Sequence, residues 1–182
     1  MISCLLKEYF TQNLPPEYAR SIIDNIDVVP AVLSLDCSML SGLGHLGVIE
    51  FCPQLNIIIG RSGSGMTRIL EALKSGAGHR VMLPPLPRLN LSRMSPGMLL
   101  MEIIGALVEI QPTDSCLLLD DVFDCLDKER TRELIGFIAL YRKQVILASK
   151  PHRIEAALSC IRREYRSVEG TDTVPSLIQC WC

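Results

Sequence analysis

Two stretches of this chain carry residue types at a spacing that suits phosphate chemistry. The first is Gly60-Arg61-Ser62-Gly63-Ser64-Gly65-Met66-Thr67. It follows the apolar, β-branched run Leu55-Asn56-Ile57-Ile58-Ile59 and precedes Ile69, Leu70 and Leu73, which fall on one side of a helix. Strand, glycine-rich turn and helix in that order form a polyphosphate cradle. Gly60, Gly63 and Gly65 can take positive φ angles that turn successive N–H groups inward, and the helix start adds its dipole. The candidate donors are the backbone N–H groups of Gly60, Ser62, Gly63, Ser64, Gly65, Met66, Thr67 and Arg68. Against the pattern G-x-x-x-x-G-K-[ST], Gly60, Gly65 and Thr67 match, but Met66 stands where lysine would bring charge to the β and γ phosphates. Thr67 keeps the hydroxyl that such loops present to magnesium.

The second stretch is Cys116-Leu117-Leu118-Leu119-Asp120-Asp121, a buried strand ending in two carboxylates. Beside a phosphate loop, Asp120 would hold Mg2+ through its waters, completing the shell begun by Thr67. Asp121 is placed to orient or polarise an attacking water. A solvated turn is the plainer reading of the same pair.

The elements that must position these groups can be read from periodicity. Residues 1 to 27 read as helical, with Pro15 at a first turn and Tyr18, Ile22, Ile23 and Ile26 as an apolar stripe, either packing on the sheet or docking a partner. Short strands are expected at Ala31–Leu35, Leu46–Phe51 and Leu55–Ile59, the first two joined by a turn at Ser41–Gly44, which gives a small antiparallel sheet. Ser75–Gly78 should stop the loop helix. Arg80–Leu83 can form a short strand, and Pro84–Pro87 a stiff connector or a proline-rich binding motif. Ser95-Pro96 caps a helix over Met98–Val108 that is apolar almost all round and must be buried on more than one side. Asp127 caps a helix of Lys128–Arg142 with Leu134, Phe137, Ile138 and Tyr141 on one face; a strand at Gln144–Ser149 and a helix at Pro151–Arg163 follow. Such alternation implies a largely parallel sheet covered on both faces, with ligands at the carboxyl ends of its strands.

Composition narrows the classes further. A chain of 182 residues suits one domain with a real core, and 48% hydrophobic residues with a mean hydropathy of +0.29 argue against disorder. A net charge of −2 gives no global pull towards nucleic acid, so DNA would be reached only through a partner. The apolar segment Gly97–Ile110 is interrupted by Glu102 and Glu109 and is too short for a bilayer, and the first residues lack a secretory pattern; a cytoplasmic protein without membrane partners is expected. The eight cysteines show no paired C-x-x-C spacing and read as buried small hydrophobes, Cys52 and Cys116 at strand ends. The terminal Cys180-Trp181-Cys182 is either a metal- or oxidant-sensitive thiol pair or a plain strand or tail.

From about Ala31 to Val168 these landmarks resemble the ATPase head of the ABC superfamily, in its RecF/SMC-like branch. The resemblance implies an α/β P-loop NTPase fold in three layers, with a mostly parallel central sheet and a small antiparallel N-terminal sheet. It divides the chain into an N-terminal helical extension (1–28), a minimal nucleotide-binding domain (29–170) and a C-terminal tail (171–182). The family's Walker A falls on Gly60–Thr67 and its Walker B on Leu117–Asp121, where the usual Asp-Glu is Asp-Asp. Leu126-Asp127 matches the D-loop, and Met94-Ser95-Pro96-Gly97-Met98 is weakly similar to the signature segment, through Ser95 and Gly97. The position of the family's switch histidine falls at Lys150, with His152 two residues on. Arg61 occupies the place where the deviant Walker motifs of ParA/MinD-like ATPases carry a lysine that reaches across a dimer; it either supplies the missing charge or is an exposed loop arginine.

In that family, nucleotide is shared across a dimer. The implied cofactors are ATP and Mg2+, the implied ligands ATP and ADP, and the implied assembly a homodimer or a heterodimer with another ATPase subunit or a partner protein. The altered lysine, glutamate and histidine positions point to a nucleotide-dependent dimerisation or docking switch with weak or absent hydrolysis. The competing readings are a working ATPase of DNA repair or genome defence, with Asp121 and Arg61 as catalytic groups, and a small-molecule kinase whose lid would use Arg88 and Arg93. Leu126-Asp127 favours the ABC reading over the kinase.

Overall fold

The structure, a computed structural model, describes residues 24–77, 81, 83, 94–158 and 176–180. Its frame is a five-stranded sheet built from β1 (Ile26–Pro30), β4 (Leu55–Ile59), β5 (Ser115–Asp120), β6 (Gln144–Ser149) and β7 (Ser176–Cys180), in the order β1-β5-β6-β4-β7. The three central strands β5, β6 and β4 run parallel, and the edge strands β1 and β7 pair antiparallel with β5 and β4. A separate two-stranded antiparallel sheet is formed by β2 (Ser34–Asp36) and β3 (Val48–Glu50).

The central strands are buried on both faces, which explains their continuous apolar runs. Side chains alternate strictly between two cores. Leu55, Ile57, Leu117, Leu119, Val145 and Leu147 meet α2 (Pro96–Ile110), α3 (Lys128–Leu140) and Ile154 of α4 (Pro151–Leu158) on one face. Ile58, Cys116, Leu118, Ile146 and Ala148 meet α1 (Met66–Gly76) and the underside of the small sheet on the other. The result is a mixed α/β fold in three layers.

Element identities follow the periodicities closely, with instructive departures. Ile26, expected on a helix, begins β1, because its neighbours Val28 and Val29 find buried partners across the antiparallel register Ile26 to Leu119. The strand expected at Ala31–Leu35 starts later, at Ser34. In the segment 171–182, read as a tail or a plain C-terminal strand, Ser176–Cys180 adds β7 to the edge of the sheet beside β4. Of the strand expected at Arg80–Leu83, Val81 and Leu83 are described and lie outside any strand, against the core formed with α2. Residues 1–23, Pro84–Pro87, Arg88 and Arg93, the thiols of Cys180 and Cys182, and residues 159–175 lie outside what is described.

The helix α2 buries Leu99, Leu100, Ile103, Ile104, Ala106, Leu107 and Val108, leaving Met98, Glu102 and Glu109 exposed. On α3 the buried face is Thr131, Leu134, Ile135 and Ile138. Phe137 packs against the same core from the margin of that face and forms a tilted aromatic pair with the exposed Tyr141, centroids 4.7 Å apart; in the first turn, Thr131 donates to the Asp127 carbonyl. Cys37, Cys52 and Cys116 are buried thiols, with burial pushing the pKa values of Cys37 and Cys116 up. Cys52 sits in the turn between β3 and β4 rather than in a strand. No helix among the described residues is long and apolar enough to cross a membrane.

Buried polar side chains close the amino-terminal end of the sheet, and none is marked by the hydrophobic pattern. Asn56 is fully buried; its Oδ1 accepts from Cys52 N–H at 2.8 Å and its Nδ2 donates to the Cys52 and Gln54 carbonyls at 2.9 and 3.0 Å. Gln144 pairs with the backbone of Val32 in both directions and donates to Cys52 as well. Gln111 donates to Ser115 and Gln144 carbonyls. These amides satisfy backbone groups that no ladder reaches, where an orphan costs about 1–3 kcal/mol. Asn56→Ala should therefore lower stability by about 2–4 kcal/mol, read by urea unfolding; a loss below about 0.5 kcal/mol would mean that the turn satisfies itself by other means.

Candidate functional site

At the carboxyl end of β4 the chain turns sharply through residues 60–65 and enters α1 at Met66. Gly63 and Gly65 take left-handed φ angles of 84° and 100°, and Gly65 is the N-cap of α1, with the first helical bond running from Ile69 N–H to its carbonyl at 3.1 Å. Gly60 is a glycine for another reason. Its φ is not positive, but a Cβ there would lie 2.1 Å from Ser64 Oγ and 3.2 Å from Met66 Cγ. A Cβ on Gly65 would meet Leu43 Cδ2 at 2.7 Å, so the loop-to-strand segment Cys37–Gly47 packs directly on the helix start. Within the loop, Ser64 N–H donates to the Arg61 carbonyl at 3.0 Å, and the buried Ser64 Oγ lies over Gly60 with no protein partner.

Met66 does not imitate a lysine. Its side chain is turned down into the core beneath the loop, among Leu43, Ile69 and Leu70. The other predicted loop cations take different paths. Arg68 donates from Nη1 to the Ser41 carbonyl at 2.9 Å, which ties α1 to the segment before β3 and away from the loop. Arg61 is exposed, as is Ser62.

The strand order sets the site's width. β6 lies between the loop strand β4 and the carboxylate strand β5, so their ends are two strand spacings apart, about 10 Å. Even so, Thr67, in the first turn of α1, meets Asp120: its hydroxyl donates to the Asp120 carboxylate. Burial raises the pKa of Asp120; the Thr67 bond opposes this, while Asp121 and Glu71 raise it further and Lys74 lowers it. Lys74 itself also reaches Asp27 of β1 at 3.9 Å.

Asp121 sits one residue past the strand in a left-handed conformation, φ 46° and ψ 38°, and its N–H donates to the Ala148 carbonyl at 2.9 Å. An aspartate tolerates that conformation better than most residues. The following turn is anchored by Phe123, fully buried with Val122 and Leu126. Asp121 Oδ2 forms an ion pair with Lys150 Nζ at 2.5 Å, while its Oδ1 is buried without a protein partner. Lys150 follows β6 directly. Ser149 is in register with Ile59, and its carbonyl accepts from Gly60 N–H at 3.3 Å, so Lys150 stands beside the mouth of the loop.

The remaining predicted residues are placed as caps. Ser95 Oγ accepts from Met98 N–H at 3.4 Å at the start of α2, with Gly97 buried in its first turn. Asp127 Oδ1 accepts from Arg130 N–H at 2.8 Å and the same carboxylate pairs with Arg130 at 3.6 Å. Both helices lie on the face opposite α1, so Ser95, Gly97 and Asp127 are not gathered with the loop.

Thr67 and Asp120 offer two hard oxygen donors side by side, which fits magnesium better than a soft metal. Among the described residues no group of three or more His, Cys, Asp or Glu side chains is gathered to hold a metal without help. A cation bound here would draw its other ligands from phosphate and water. The sequence reading missed the partnership of Asp121 and Lys150. Its signal was a lysine directly after an apolar strand, the strand that pairs with the one leading into the loop.

Comparison with protein-family models, with curated proteins and with solved structures finds no match. The resemblance to ABC-type heads thus rests on the residues named above.

Two outcomes test this geometry. Gly65→Ala should cost about 1–3 kcal/mol, from the left-handed φ and the Leu43 contact, read by denaturant unfolding; a neutral result would show that the loop relaxes freely. For Asp120, the folded carboxyl holds its proton to higher pH than the unfolded chain, whose ordinary value is 3.8. Its favourable contribution is full below that value and is lost as pH rises through the folded value. Without added metal, Asp120→Asn should therefore stabilise the protein at pH 7, and the gain should vanish in unfolding curves taken below 3.8; a destabilised variant at pH 7 would overturn the assignment.

Proposed function

We propose that this chain is an ABC-type nucleotide-binding domain of the RecF/SMC-like kind, a P-loop NTPase in which bound Mg-ATP drives dimerisation or partner docking with little or no hydrolysis. The observation that carries this reading is the Thr67 hydroxyl bonded to the Asp120 carboxylate, directly beside a glycine loop that opens a helix. Helix-start N–H groups and a hard-oxygen pair at the end of parallel strands are what a magnesium-bound polyphosphate requires.

The residues divide the work. The N–H groups of Gly60 to Arg68 would cradle phosphate oxygens, and Thr67 and Asp120 would hold Mg2+, which neutralises charge between the phosphates when bound. Asp121 is the group nearest to a general-base position, but Lys150 holds its Oδ2. That oxygen is occupied by the ion pair and is not open to an attacking water, which supports the reading of slow turnover. A switch does not need turnover. A ligand that binds one state better shifts the population by its differential affinity.

Calorimetric titration with ATP in the presence and absence of Mg2+, with light scattering on the same samples, tests the reading. Binding should be magnesium-dependent, be accompanied by a rise in mass, and fall at least about tenfold in Thr67→Ala or Asp120→Ala, which each remove a charge-assisted contact. Absence of binding at millimolar ATP would end it. Met66→Lys gives a signed check: burying an ammonium beneath the loop should lower the melting temperature of the ligand-free protein, and ATP should recover it as the amine turns up to phosphate. Equal melting of the two proteins with and without ATP would show that the loop does not meet phosphate.

A further inference from the structure

On the face of the sheet opposite α1, a groove of about 450 Å³ runs between α2 and α3, with Met101, Gly105, Ala106 and Phe137 as its floor. Glu102 and Glu109 stand on its α2 side, two helical turns or about 10.5 Å apart, and Glu133 stands on its α3 side. All three are exposed, and among the described residues none of them is in an ion pair. Lys143, just past α3, is engaged by backbone: its ammonium donates to the Glu109 and Gln111 carbonyls at 2.6 and 2.8 Å and so ties the carboxyl ends of the two helices together. The walls of the groove are held at a fixed spacing.

Gly105 is a separate sign that the groove is kept open. It lies in the middle of α2, where glycine is less stable than alanine. A Cβ there would meet the edge of the Phe137 ring at 3.6 and 3.7 Å, ordinary contact, so packing within the molecule does not require glycine. That Cβ would instead make the floor shallower. Met98, 44% exposed, carries the apolar line one turn further toward the start of α2, and the exposed Tyr141 lines the other end. Exposed methionines and an aromatic edge suit an apolar side chain from outside.

Charge selects the occupant. Nucleic acid and anionic membranes have the wrong sign for this rim, and a second copy of the same face would set three carboxylates against three. We infer that the groove docks a basic amphipathic helix of a partner protein, with an aliphatic side chain seated over Gly105 and cationic side chains reaching Glu102, Glu109 and Glu133. The line from Met98 to Glu109 matches about three turns of such a helix, anchored at i, i+4 and i+7. Arginine fits the end formed by Glu109 and Tyr141 best, because a guanidinium can pair with a carboxylate and stack on a ring.

This docking does not depend on nucleotide, and its test uses the full chain without ligand. The probe is a fluorescein-labelled peptide of about 14 residues, four helical turns, with leucines at i, i+4, i+7 and i+11 and arginines beside them, followed by fluorescence anisotropy. It should bind saturably, and versions with glutamate for arginine or serine for leucine should bind at least about tenfold more weakly. The triple variant Glu102→Gln/Glu109→Gln/Glu133→Gln should weaken the arginine peptide roughly tenfold and remove most of its salt dependence. Gly105→Ala should raise the melting temperature and still weaken the peptide, a split that a purely structural glycine would not produce, and Gly105→Met should weaken it further. No saturable binding of the arginine peptide at about millimolar concentration overturns the inference. Binding that the triple variant leaves unchanged, or that both Gly105 variants leave unchanged, places the peptide elsewhere and overturns it as well.

Discussion

The pairing of β6 with both neighbours is the constraint on which the site depends. Through it, the Gly60 N–H reaches the Ser149 carbonyl and the Asp121 N–H reaches the Ala148 carbonyl, so loop and carboxylates are held to the same strand end from opposite sides. Register matters because side chains alternate: a slip of one residue would turn Val145 and Leu147 into the wrong core and shift Lys150 away from Asp121. The amides of Gln144 and Asn56, at the far end of the sheet, guard that register. Each bonds to backbone groups that would otherwise be buried without partners.

Two apolar cores give the site its rigidity on one side and its shape on the other. The core under α1 fixes the loop from below, with Met66 inside it and Leu43 pressed against Gly65. Met66 is thus held by packing: methionine fills space that an ammonium could occupy only at a high desolvation cost. The core under α2 and α3 holds Phe123 and, through it, the turn that leaves Asp121 in its left-handed conformation. Charge is then shared between the acids of the site and the few cations near them, with Asp120 pushed toward its neutral form by burial and Asp121 paired with Lys150.

How much of this was legible depended on whether the deciding contact was local. Loop, caps and buried strands are local in origin: Gly63 and Gly65 take the positive φ that their type permits, Ser95 and Asp127 cap as their positions suggest, and Gln144–Ser149 is a strand with the bounds its pattern gives. Ile26 was misassigned, and strand or tail stayed open at the C-terminal segment, because short apolar stretches suit a helix stripe, a tail or an edge strand equally; the partner strand decides. Phe137 stays packed against the core of α3's inner face, while Tyr141, one turn on, is exposed.

The sequence by itself determined the glycine turn that opens α1, the strand ending in Asp120-Asp121 and the mixed α/β class, because glycine placement, capping chemistry and hydrophobic period act within a few residues. Only the tertiary structure decided that Thr67 meets Asp120, that Met66 turns inward, that Arg68 is drawn off to Ser41, and that Asp121 shares its charge with Lys150. Those outcomes depend on which strands lie side by side, and strand order is fixed by burial summed over two cores, a quantity that no single stretch of residues carries.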